Sequence, residues 1–299
     1  MTLAHVFAYE KPATLDEAVS LLREAGEGAR VLAGGTDLIG WIRDGLVEPD
    51  LLIDLKGIGG LEGIAVDETA GRIRIGALAT FTDLIQSGAI REKAPLLHEA
   101  ARTVASRGIR NRATPAGNIC SAVPCCDMGP PLLVLEAEVR AAGPEGERVV
   151  PIRDWFTGPR RTALRPGEIV TAVDVPLPGS PHGAAYVKLG RYDGEDLAQA
   201  SAAVLALPGG ERRVAFGAVA PTPVRSGRIE ELLRGKEEAA PALLEEAAVV
   251  LPGEIAPIDD LRSGKEYRSR MTRVMFERGL AAALARMDGG GPPYGTRLL

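Results

Sequence analysis

Cysteine, histidine and aromatic side chains are all scarce in this 299-residue chain, which has three Cys, three His and only 4% Phe, Trp and Tyr together. The three cysteines, Cys120, Cys125 and Cys126, are an odd number crowded into seven positions. That is a poor disulfide framework and fits a reducing compartment. His5, His98 and His182 stand apart, with none of the spacings that build metal or nucleophile sites. No run approaches the roughly 20 apolar residues of a membrane span, and the first residues lack the basic start and apolar stretch of a secretory signal. The expectation is a cytoplasmic chain. With 35 Lys and Arg against 40 Asp and Glu, the formal charge is −5, so the concentrated basic surface that nucleic acid demands is missing. No G-x-G-x-x-G follows a strand. The pairs Gly235-Lys236 and Gly264-Lys265 lack the upstream glycine and the following Ser or Thr of a phosphate-binding P-loop.

What is present is 45% apolar and 25% charged residues, the composition of an ordinary soluble α/β protein, over a length that suggests two domains. Thr14-Leu15-Asp16-Glu17 reads as a capping box opening a helix with Leu15, Ala18, Val19 and Leu22 on one face. "ARVLAGG" and "LLIDLKGI" read as buried strands, and "RIRIGALAT" as a half-exposed one in which Ile73 and Ile75 alternate with arginines. Helices are expected from Thr82 and over about Pro95 to Ser106. "RNRATPAGNICSAVPCCDMGPP" is so rich in Gly, Pro and small residues that it reads as an ordered loop. "PLLVLEAEVRAAG" is a helix or a strand leading into a hairpin. Beyond Pro178, "AAYVKLG", "QASAAVLAL" and "RRVAFGAVAPTPV" read as three antiparallel strands followed by helices, an α+β arrangement. The tail "DGGGPPYGTRLL" reads as mobile.

Two short stretches carry the chemistry. "VLAGGTDL" offers backbone N–H groups unobstructed by Cβ, the Thr36 hydroxyl and the Asp37 carboxylate, and such a concave run can hold phosphate oxygens. A tight turn explains the same glycines. "TPAGNIC" repeats the theme, with Thr114 and Asn118 flanking Gly117. Two separated small-residue loops with polar donors suit a dinucleotide pyrophosphate better than two unrelated turns. On this reading Gly35→Val costs ligand affinity more than folding. The cysteines, three soft ligands and one short of a cluster, read as small buried hydrophobes with no metal. The basic helix around Lys265 to Arg278 reads as a solvated or subunit-facing surface.

"VLAGGTDLIGWIRDG" and "TPAGNICSAVPCCDMGPPLLVLEAEV", followed by "TALRPGEIVTAVDVP", "YVKLGRYDGEDLAQASAAV" and "DLRSGKEYRSRMTRVMFERGL", closely resemble the FAD-binding medium subunit of the molybdenum hydroxylases. Carbon monoxide dehydrogenase and xanthine dehydrogenase are of that design, and the resemblance spans about residues 5 to 285. It implies an FAD-binding domain of the vanillyl-alcohol-oxidase type over 1–177, with α/β subdomains at about 1–58 and 59–177. A small C-terminal α+β domain with a three-stranded antiparallel sheet would cover 178–287, leaving a mobile tail at 288–299.

It also implies that Arg30, Val31, Leu32, Ala33, Gly34, Gly35, Thr36 and Asp37, with Thr114, Gly117 and Asn118, hold FAD, and that Asp127 contacts its nucleotide portion. Leu164 and Lys188 would lie beside the isoalloxazine, Lys188 as a cation favouring the charge gained on reduction, and Tyr192 would screen the ring. Ala116 departs from the glycine of many members. No catalytic acid, base or nucleophile is expected. Electrons would reach noncovalently bound FAD from iron–sulfur clusters on a small partner subunit, fed by a molybdenum cofactor on a large one, in a dimer of heterotrimers, and pass to an external acceptor. A self-contained FAD oxidoreductase of the same fold and a non-enzymatic nucleotide-binding or assembly protein are the alternatives.

Overall fold

In a computed structural model the described residues are 5–192, 196–236 and 238–298. The chain opens with β1 (Ala8–Glu10), α1 (Leu15–Ala25), β2 (Ala29–Leu32), α2 (Leu38–Arg43) and β3 (Leu51–Asp54), the strands forming a parallel sheet in the order β1-β3-β2. Thr14 Oγ1 accepts from the Glu17 amide at 3.2 Å, while the Glu17 carboxylate reaches back to the Ala13 amide. The orphan donors of the first turn are thereby satisfied. Ala18 is fully buried, and Leu15, Val19 and Leu22 pack with it against Ala29 and Ile53, the face that the apolar spacing marks.

A second layer follows: β4 (Ile64–Asp67), β5 (Arg72–Gly76), the helices α3 (Phe81–Gln86), α4 (Gly88–Lys93), α5 (Pro95–Arg102), α6 (Arg107–Arg110), α7 (Pro115–Ser121) and α8 (Gly129–Val134), then β6 (Glu138–Gly143), β7 (Gly146–Pro151), β8 (Phe156–Gly158), β9 (Arg161–Thr162) and β10 (Ile169–Pro176). The main sheet is antiparallel in the order β4-β5-β10-β6-β7. Two sequence expectations are corrected here. The stretch from Arg110 to Pro131 is not all loop but holds the helix α7, because Thr114 caps it and Pro115 sits at its first turn, where a proline costs no hydrogen bond. The helix expected over about Pro95 to Ser106, α5, ends at Arg102.

Ile73 and Ile75 point into the core, and the arginines between them point out. There Arg74 and Arg140 close on Asp174 at 2.8 and 2.6 Å, with Arg72 at 3.5 Å. Asp174 is 1% exposed. Burial works to raise its pKa, but the Arg74 and Arg140 guanidiniums outweigh it and hold the carboxyl below the usual range. Glu168, gripped by Arg148, is held low too. A depressed carboxyl stabilises the fold fully above its unfolded pKa and loses that contribution as pH falls towards the folded value. The wild-type urea midpoint is therefore expected to fall steeply below about pH 4. Asp174→Asn should lower the midpoint at pH 7 and flatten the acid slope, and an unchanged slope would show that the arginine cluster contributes nothing.

The third layer is an antiparallel sheet of β11 (Gly183–Leu189), β12 (Ala200–Ala206), β13 (Arg212–Gly217) and β14 (Val224–Arg225), followed by α9 (Gly227–Leu233), α10 (Pro241–Val250) and α11 (Lys265–Met287). The three expected strands are present. The fourth is a two-residue addition, because Pro221 and Pro223 break the run before Val224 rejoins the edge of β13. The helix α11 is not a simple solvated basic face, since Arg268 and Arg286 are buried within it. The tail is docked, not loose. Tyr294 lies under the Arg286 guanidinium at 4.2 Å and accepts from the Ala184 amide, while the Gly295 amide donates to Glu99. Glu99 and Arg286, each 3% exposed by side chain and 3.0 Å apart, tie α5 to α11. No described helix is long and apolar enough to cross a membrane.

Candidate dinucleotide site

The site begins where β2 ends. Its last carbonyls approach β3, and Lys56 Nζ, paired with the buried Asp54, donates to the Ala33 carbonyl at 2.9 Å. The chain then turns through Gly34 and Gly35 into α2. Gly34 packs directly on another backbone: a Cβ there would lie 2.1 Å from the Arg112 carbonyl oxygen. Gly35 has φ +78°, a left-handed conformation that side-chain-bearing residues adopt only with strain. Both glycines thus serve the fold as well as any ligand, and the expectation that Gly35→Val spares folding is revised: part of its cost falls on the apo protein.

The Arg112 segment leads into α7, where Thr114 Oγ1 accepts from the Gly117 amide at 2.9 Å. Asn118 Oδ1 accepts from the Met128 amide and so closes the loop between α7 and α8. Ser121, at the end of α7, donates to Asp37 at 2.5 Å and joins the two loops across the site. Ala116 is 3% exposed inside α7, so its methyl is absorbed by the core without disturbing the loop.

Between these elements lies a cavity of about 530 Å³, within the usual range of small-molecule sites. Arg30, Val31, Leu32, Ala33, Gly34, Gly35, Thr36, Asp37, Thr114, Gly117, Asn118, Asp127 and Leu164 all line it. Lys188 and Tyr192 are not among its lining residues. Tyr192 is 68% exposed on a loop. Lys188 is 7% exposed by side chain, and its Nζ is spent on Asp127 Oδ2 and the Thr103 carbonyl, each at 2.9 Å. Further lining residues that sequence reasoning did not name include Trp41, Phe81, Ile109, Val123, Leu197 and Arg262. Trp41 follows Asp37 by one turn of α2, so helical spacing could have found it. Leu197 and Arg262 come from the C-terminal domain, and no local pattern marks them.

Burial pushes the Asp127 carboxyl up, opposed by the Lys188 charge and by hydrogen bonds from Lys188 and Tyr186. Tyr186, which donates to Asp127 at 2.9 Å, is itself pushed well up by burial and by that carboxylate. Cys120, Cys125 and Cys126 line the cavity as neutral thiols. Burial raises all three, Cys120 to about 12. Among the described residues no three His, Cys, Asp or Glu side chains are grouped as a metal ion requires.

The arrangement fits the FAD implied by the sequence. Among the described residues no protein acceptor meets the amides of Gly34, Gly35, Thr36 or Asp37, and these lie along the cavity wall. Consecutive unpartnered N–H groups in such a turn can form a nest for an anion such as a pyrophosphate. The lining carboxylates are engaged elsewhere: Asp37 by Ser121, Asp127 by Lys188 and Glu168 by Arg148.

Comparison with known proteins bears on the same point. Residues 5–178 match the family described as the FAD binding domain in molybdopterin dehydrogenase, and residues 184–283 match the CO dehydrogenase flavoprotein C-terminal domain. The chain is 37% identical over 283 residues to the carbon monoxide dehydrogenase medium chain of Afipia carboxidovorans, covering 94% of this chain and 97% of that one. It is 33% identical over 287 residues to the xanthine dehydrogenase FAD-binding subunit of Escherichia coli, covering 94% and 97%. A carbon monoxide dehydrogenase structure from Hydrogenophaga pseudoflava superposes with a TM-score of 0.91 at 35% identity, over 96% of this chain and 99% of that one.

Proposed function

We propose, because this chain belongs to the family of FAD-binding medium subunits of the molybdenum hydroxylases, that it is the electron-transfer flavoprotein of a multi-subunit molybdenum oxidoreductase. The observation that carries the reading is the row of unpartnered amides from Gly34 to Asp37 on a cavity walled by both glycine-containing loops. Bound there, FAD supplies reversible acceptance and release of electrons, and the protein supplies position and electrostatics. The 34–37 amides would receive the pyrophosphate, Thr114 and Asn118 brace the second loop, and Lys56 fixes the Ala33 carbonyl at the start of the first. Val31, Leu164 and Trp41 exclude water from the rings.

Electrons come from iron–sulfur clusters on a small subunit, fed from a molybdenum cofactor on a large one, and leave to an external acceptor. The assembly is a dimer of heterotrimers in the cytoplasm. Domain limits at 177/178, with subdomains meeting near residue 58, are supported by the lack of strand pairing across either point among the described residues. The tail is bonded to both domains, through Tyr294 to Ala184 and through Gly295 to Glu99.

Gentle purification of the chain alone should give a yellow protein whose FAD is released by acid precipitation, with no turnover of organic substrates. Native pull-down should bring down two further chains carrying molybdenum and iron. Flavin retained through denaturation would refute noncovalent binding, and turnover by the isolated chain would refute the subunit role.

A further inference from the structure

The segment that follows α11, "DGGGPPYGTRLL", turns back on the protein. Gly289 and Gly291 take φ +78° and +77°, the left-handed conformation that reverses a chain at a helix end, and the Gly290 amide donates to the Ala285 carbonyl at 2.9 Å. Pro292 and Pro293, each with φ fixed by its ring, then present their carbonyls to Arg286, which donates from Nε at 2.9 Å and from Nη2 at 3.1 Å. Tyr294 packs on the core that α5 and α8 share with one face of the β11–β13 sheet. Leu298 packs on the core between the other face and α11. This segment lies beyond residue 283, the last one matched to either family domain.

What the segment covers is a sheet edge. β11 is the first strand of its sheet, and two of its amides turn away from β12: Ala184 donates to the Tyr294 hydroxyl at 3.1 Å and Tyr186 to Glu99 Oε2 at 2.8 Å. Glu99, on α5, also accepts from Arg286 Nη1 and Nη2 at 3.2 and 3.0 Å and from the Gly295 amide at 2.9 Å. A buried ion pair holds only where further hydrogen bonds satisfy its remaining donors and acceptors. Here the tail supplies them, with two carbonyls and the Tyr294 ring for Arg286 and one amide for Glu99. The junction it completes leads to the cavity on both sides. Beyond α5, the Thr103 carbonyl accepts from Lys188, and Val104 and Ala105 line the cavity; beyond β11, Asp196 and Leu197 line it from the C-terminal domain.

We propose that residues 289–298 are an inter-domain clasp, which holds β11 to α5, keeps the C-terminal domain's wall on the cofactor cavity and so slows the release of FAD. Tyr294 and Gly295 are positioning residues that act through Ala184, Arg286 and Glu99. The clasp itself needs no ligand, and its effect on release rests on the FAD reading of the cavity. Opening the junction without the tail leaves fewer bonds to break at a buried pair, so the open state becomes more populated.

The test compares the full chain with one ending at Asp288 and with Tyr294→Ala and Tyr294→Phe. The shortened chain is expected to release FAD about tenfold faster, the least that loss of a hydrogen bond to a charged group carries. Tyr294→Ala should move the same way, and it carries the test if the shortened chain does not fold. Tyr294→Phe keeps the ring on Arg286 and should release FAD more slowly than Tyr294→Ala. Hydrogen exchange of the apo proteins supplies the second readout: the amides of β11 and α5 should exchange faster in the shortened chain and in Tyr294→Ala, while those of the β1-β3-β2 sheet keep their wild-type rates. Wild-type FAD release in both variants overturns the proposal. Faster exchange spread evenly over every sheet also overturns it, since that marks a general loss of stability. A wild-type chain that binds no FAD would instead sink the reading of the cavity, and the exchange pattern would still decide the clasp.

Discussion

Gly34→Ala is expected to weaken FAD binding by two orders of magnitude or more and to lower apo stability together. The new methyl would sit 2.1 Å from the Arg112 carbonyl oxygen and 3.0 Å from the Ala113 Cα. Both are backbone atoms, and neither can rotate away as a side-chain tip can. To reach ordinary contact the loop after β2 and the segment before α7 must part by more than an ångström. Inserting even one extra methylene into tight packing costs about 1–3 kcal/mol. The larger loss falls on the ligand, because the parting moves the 34–37 amides relative to Thr114 and Gly117, and charged hydrogen bonds are worth about 1.5–3 kcal/mol each. Two such bonds lost give the stated factor.

Gly35→Val separates the causes. A Cβ there meets Leu32 Cδ1 at 2.9 Å and Ile39 Cγ1 at 3.4 Å, side-chain atoms that can shift, so the main penalty is the positive φ, about 1–2 kcal/mol. Flavin titration of each folded variant, beside urea unfolding of its apo form, checks both. Wild-type affinity in Gly34→Ala would mean that the seam between the loops is irrelevant to binding.

The contrast shows what the sequence could and could not reveal. "AGGT" states that the backbone is bare, and it cannot state what approaches it. At Gly34 the approaching group is Arg112, far along the chain, and at Gly35 it is a dihedral angle. The apolar periodicity of Leu15, Ala18, Val19 and Leu22, and the alternation at Ile73 and Ile75, were legible because helices and strands expose their inner faces at fixed intervals. The helix from Pro115 to Ser121 was not, since its Gly and Asn argue for a loop until the Thr114 cap and the burial of Ala116 and Ile119 are known. Tertiary packing overrode propensity there. The tail was misread for a similar reason. Glycines and prolines signal freedom, but Tyr294 and Gly295 find Arg286 and Glu99, two buried charges whose partners sequence cannot show. Thirteen of the residues named from the motifs line the cavity. From the other domain Leu197 and Arg262 line the cavity and Lys188 and Tyr192 do not, and a lysine's place in a motif says nothing about the carboxylate that claims it.

That claim predicts the behaviour of Lys188. Its side chain and that of Asp127 are 7% and 8% exposed, and removing one partner of a buried pair leaves an uncompensated charge, at a cost of about 3–5 kcal/mol. Lys188→Met should therefore destabilise the protein by about that amount. In the variant, Asp127 keeps only the Tyr186 hydroxyl. Burial already raises its pKa with Lys188 present, and without the ammonium it rises further. A carboxyl raised in the folded state binds its proton more tightly than in the unfolded chain. Its stabilising effect is complete below the unfolded pKa, about 4, and is lost as pH rises through the folded one. Lys188→Met should accordingly regain stability between pH 8 and pH 5 relative to wild type. Adding Asp127→Asn removes the stranded charge, and an amide oxygen can still accept from Tyr186, so the double variant should recover most of the loss even at pH 8. Urea unfolding of the four proteins at both pH values gives the coupling directly. Additive losses, or a single variant insensitive to pH, would mean that Lys188 does not neutralise Asp127, and its ammonium would again be free to act on the flavin.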